Sequence, residues 1–123
     1  MSKTFIINIE PFGYKLHILH CVSDKRFLSY AMKVFNIKVE RDLINFATTH
    51  IVKDERFQEC IIDFRTELPH NRLSYDLIAH ESLHVVFEIA RFAEFRFCPD
   101  SEEIYAYLQG YITSQICSKL FLK

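Results

Sequence analysis

The chain has 123 residues, half of them hydrophobic and a quarter charged, with a formal net charge of -1 and a pI near 6.6. That length suits a single domain, residues 1–123, with a real hydrophobic core, and so balanced a charge gives no electrostatic reason to expect nucleic acid as a partner. No apolar run approaches the roughly 18 residues of a bilayer span, and Cys21, Cys60, Cys98 and Cys117 are widely spaced with no C-x-x-C pair and no secretory leader, so the expectation is a cytoplasmic protein with reduced thiols and no membrane partner.

Residues 4–9 (TFIINI) are β-branched and aromatic, Pro11-Phe12-Gly13-Tyr14 supplies turn chemistry, and residues 15–22 resume a strand pattern, which predicts a β-hairpin. His17 and His20 lie in its second strand and read as surface or edge histidines on different faces. Ser23 and Asp24 can cap a helix through residues 26–35, where Phe27, Leu28, Ala31, Val34 and Phe35 recur at helical spacing and form a core stripe. Residues 36–45 alternate charged and aliphatic side chains without Gly or Pro, a pattern open to a short helix or an irregular connection. Residues 46–52 and 58–65 read as two more strands around a charged turn at 53–56, with His50 a polar residue of an alternating strand.

Pro69 breaks the pattern. Ser74 is then a candidate N-cap for a helix over residues 75–96, and Cys98-Pro99-Asp100 stops it before a last helix from about 101 to 120. The first of these helices carries His80-Glu81-Ser82-Leu83-His84, an H-E-x-x-H sequence flanked by Leu77, Ile78, Val85, Val86, Phe87 and Ile89. At 3.6 residues per turn His80 and His84 share a helical face and can hold one metal ion, while Glu81, about 100° round the helix, can act on water at that ion without becoming a ligand. Chance placement would give such a motif in about 2% of chains with this many His and Glu residues, so it is suggestive rather than sufficient. A hydrolytic zinc site normally needs a third protein ligand.

Eighteen residues separate His84 from Glu103, and Ala106 follows Glu103 by three. This interval, with its E-x-x-A start, resembles the gluzincin metallopeptidases, in particular the minimal one-domain forms and small uncharacterised H-E-x-x-H proteins encoded by bacteriophages. The resemblance covers residues 74–110. It implies an α+β zincin-like fold: a small N-terminal sheet with a helix, then the H-E-x-x-H helix and a Glu-bearing C-terminal helix. It also implies Zn2+ held by His80, His84 and Glu103, with Glu81 as catalytic base of a peptidase or related amide hydrolase acting on a peptide or protein. Glu102 is the alternative third ligand, and both acids also suit the first turn of a helix for purely structural reasons.

The chain departs from the larger gluzincins at Tyr107, where they place an acid that orients the first histidine; Asp76 or a backbone carbonyl is left for that task. Tyr105, Tyr107 and Tyr111 are candidate oxyanion donors or packing residues. A rival reading is a non-catalytic, zinc-stabilised binding protein, for which Cys98 or His50 would close the coordination shell; a deformylase-like site would instead recruit Cys60.

Overall fold

A computed structural model describes residues 2–52 and 58–122 of the chain. It is α+β, with a four-stranded mixed sheet and three helices, and divides into two compact units, Met1–Leu68 and Pro69–Lys123.

The first unit opens with β1 (Lys3–Ile9) and β2 (Tyr14–His20), paired antiparallel from Lys3↔His20 to Ile9↔Tyr14. Gly13 sits at φ +62° between them, a left-handed conformation that side chains with a Cβ disfavour. The expected helix follows as α1 (Asp24–Phe35): Ser23 Oγ accepts from Arg26 N, and Asn36 closes the helix in the left-handed region with its N–H on the Met32 carbonyl. β3 (Ala47–Ile51) and β4 (Glu59–Phe64) complete the sheet in the order β1-β2-β4-β3. The charged turn expected at 53–56 lies outside the described residues.

β2 pairs parallel with β4, Lys15↔Glu59 through His20↔Phe64, so these two strands are central and β1 and β3 are edges. Central strands bury both faces, which is why β4 reads Glu-Cys-Ile-Ile-Asp-Phe with little alternation. One core cluster joins Phe27, Ala31 and Phe35 of α1 to Leu19, Ile61 and Val22. Each large side chain buried there contributes about 2 kcal/mol from apolar area removed from water.

Residues 36–46 form an irregular connection rather than a helix, and Arg41 organises it. The guanidinium makes a two-pronged contact to Asp63 (Nε to Oδ2 2.7 Å, Nη2 to Oδ1 2.9 Å) and also donates to the Val22 carbonyl and to Asp24. Asp42 accepts from the backbone of Ile44 and Asn45 and from the Asn45 side chain, hydrogen bonds that hold its carboxyl well below the usual range.

Both histidines of β2 are buried, contrary to the surface placement expected from the sequence. His20 Nε2 accepts from Leu68 N at 3.1 Å. His17 is bonded at both ring nitrogens, to Tyr30 and to Glu59. A polar residue in an alternating strand reads as exposed, but a helix packed over that face of the sheet can bury it once its hydrogen bonds are met.

The second unit is a helical hairpin of α2 (Arg72–Ala93) and α3 (Glu102–Phe121). α2 begins three residues before the expected start because Asn71, not Ser74, is the cap: Asn71 Oδ1 accepts from Ser74 N. Glu94 ends it in the left-handed region. Tyr75 and His70 meet Phe121, Ala79 meets Gln109, and Phe87 meets Tyr105, so α3 runs antiparallel to α2.

Candidate metal centre

α2 buries Ile78, Glu81, Ser82, Val85, Val86 and Ile89, and the helical period then turns His80, Leu83, His84 and Phe87 outward. The two imidazoles lie one turn apart with ring centroids 5.1 Å apart. The His80 side chain is 67% exposed, whereas that of Glu81 is 7% exposed, and His80 Nε2 stands 3.7 Å from Glu81 Oε2. One donor atom from each of His80, Glu81 and His84 falls within 4.8 Å of the others, the one such grouping of His, Cys, Asp and Glu among the described residues. Two imidazoles and an adjoining carboxylate suit a divalent transition metal, and the open side of the helix leaves room for further ligands.

Glu103 is not part of that grouping, and neither is Glu102. Both are exposed in the first turn of α3. Glu103 precedes by two residues Tyr105, which packs on Phe87, three residues past His84. Ser101 precedes the helix without making a side-chain cap, and its hydroxyl instead bonds the Arg96 carbonyl and accepts from Cys98 N. The first turn of α3 is therefore held from the loop, and no capping box forms around Glu103.

Of the candidate oxyanion donors, Tyr105 is buried among Phe87, Phe95 and Phe97, with ring centroids 5.7, 5.3 and 4.9 Å away, and is a packing residue. Tyr107 is 63% exposed and stacks on Tyr111. Asp76 is exposed, and the carboxylate within ion-pair range of His80 is Glu81. Of the residues named for a closed structural zinc shell, His50 packs on Phe27 and Cys98 lies against Ser101, while Cys60, named for a deformylase-like site, is buried in β4.

Gln109 escaped the sequence reading. Its side-chain N–H donates to the Ala79 carbonyl at 2.9 Å, tying α3 to α2 at the residue before His80. A glutamine at an inward helical position was the available signal. Comparison of the chain with protein-family models, curated proteins and solved structures finds no match. No described helix is long and apolar enough to cross a membrane.

Proposed function

We propose that this chain is a zinc-dependent metallopeptidase or related amide hydrolase. The observation that carries the reading is the convergence of His80, Glu81 and His84 on an open helix face, with both imidazoles exposed and the carboxylate between them held from the buried side. His80 and His84 would hold the metal, and Glu103, exposed on the neighbouring helix, is the carboxylate proposed to join them. A zinc ion there would supply Lewis acidity, polarising a carbonyl and acidifying water. Glu81 takes the proton from the attacking water and returns it to the leaving amine. Its burial restricts the carboxylate, so less ordering is needed at the moment of reaction.

The test has two arms. Elemental analysis of protein purified without added metal should find about one zinc per chain, as a single His80/His84 face can hold. Glu81→Gln should keep that zinc and lose turnover of a peptide library by at least about a hundredfold, the usual share of a general base. Glu103→Ala should weaken zinc binding more than Glu102→Ala. Wild-type turnover in Glu81→Gln would refute the base, and zinc retained by wild type with no hydrolysis of any peptide would leave the non-catalytic metal-binding reading in its place.

A further inference from the structure

In the first unit, β2 and α1 build a second polar cluster. His17 stands on β2 between Ile6 of β1 and Ile61 of β4. Its Nε2 lies 2.9 Å from Glu59 Oε1 and its Nδ1 lies 2.8 Å from the Tyr30 hydroxyl. A carboxylate only accepts, so in the neutral ring Nε2–H donates to Glu59, and Nδ1 is left to accept from the Tyr30 O–H. The order phenol, imidazole, carboxylate is thereby fixed. Tyr30, Lys33 and Val34 sit at i, i+3 and i+4 on one face of α1, and with Ile6, His17 and Glu59 they line a cavity of about 230 Å³.

What the cavity presents follows from those bonds. With the ring neutral, the Tyr30 proton is committed to His17 and its oxygen offers only lone pairs to a ligand. Burial, with the Glu59 charge beside it, pushes the Tyr30 phenol up, which keeps it in this neutral, proton-donating form. The Glu59 side chain is 31% exposed and spends one oxygen on His17. Two acceptors, one of them charged, thus line the cavity together with the Lys33 cation and the apolar side chains of Ile6 and Val34. A buried His17 that bridges a half-buried Glu and Tyr is a costly way to fill space that aliphatic side chains would fill better, and such departures from packing concentrate at binding sites.

We infer that this cavity binds the α-ammonium group of a small aliphatic amino compound. The ammonium donates to Glu59 and the Tyr30 oxygen, a carboxylate meets Lys33, and a short aliphatic side chain rests on Ile6 and Val34. A free amino acid and the amino terminus of a peptide share the ammonium and the side chain, and in the peptide the first carbonyl oxygen takes the place of the carboxylate at Lys33. The site is independent of the metal centre and of the hydrolase reading.

The experiment follows the His17 ring nitrogens and the Val34 methyls by NMR as the intact protein is titrated with L-leucine, the peptide Leu-Gly-Gly and N-acetyl-L-leucine. Leucine or the peptide should give saturable shifts at both positions, and N-acetyl-L-leucine, which has no ammonium, should give none. Tighter binding of leucine marks a free amino acid as the ligand, and tighter binding of the peptide marks an amino terminus. Glu59→Gln keeps an acceptor for His17 while removing the charge, and should weaken binding about tenfold, the share of one charge-assisted hydrogen bond. Tyr30→Phe should weaken it less and leave the fold intact. Absence of shifts with either amine, or equal shifts with the acetylated compound, would overturn the assignment.

Discussion

At Arg41 a guanidinium with 4% of its side chain exposed meets an Asp63 carboxylate with 2% exposed, in two parallel hydrogen bonds. Breaking such a pair from one side strands the other charge where water cannot reach it, and that penalty exceeds what the intact pair contributes. Arg41→Met should therefore lower unfolding stability by about 3–5 kcal/mol in chemical denaturation, and adding Asp63→Leu should recover most of the loss. If the single variant unfolds at the wild-type midpoint, Asp63 has another partner and Arg41 is not what orders residues 36–46. Nothing local marks this residue in the sequence, because its partner lies 22 positions away and pairs of this kind leave no periodic trace. His17 reads as exposed in the sequence for a related reason: its burial depends on Tyr30 and Glu59, 13 and 42 positions distant. The H-E-x-x-H residues were legible because one helical turn defines their geometry without help from the rest of the chain.

Among the elements, those with a strong period and good caps could be placed closely. α1 was found through its aromatic stripe and Ser23, and the hairpin through Pro11 and Gly13. The start of α2 was missed by three residues because its first turn contains Leu73, which is 70% exposed and carries no burial signal. α3 contains a different irregularity. Gly110 lies in its middle, with nothing within 4 Å of where a Cβ would stand and no positive φ to protect. Glycine there costs backbone entropy without gaining a close approach, so Gly110→Ala should stabilise the protein by about 0.5–1 kcal/mol and raise the melting temperature by a few degrees. A fall in melting temperature would show that the added methyl meets a neighbour and that the glycine keeps that space open.

Over the whole molecule, the α+β class followed from counting elements, whereas the parallel β2–β4 pairing and the division at Leu68 did not. Those depend on which strands meet across α1 and β3, and a one-dimensional pattern does not encode it. The proposed third ligand belongs to the same category: the interval from His84 to Glu103 is visible in the sequence, but the stagger of two antiparallel helices decides where that carboxylate falls. Metal linkage tests this at the scale on which it matters. A ligand that binds only the folded state stabilises by about 2.7 kcal/mol at a hundredfold excess over Kd. Local openings that separate His80 from His84 must lose the metal too, so zinc should slow amide exchange throughout α2 even where the protein does not unfold globally. If Glu103 joins the site, the first turn of α3 gains the same protection, and Glu103→Ala abolishes it there while α2 keeps part of its own. His84→Ala should abolish both effects, and a chelator should reverse them in the wild type. Zinc-independent exchange across α2 would mean that the histidine face holds no metal, whereas protection of α2 without α3 would confine the ion to His80, His84 and the adjoining Glu81.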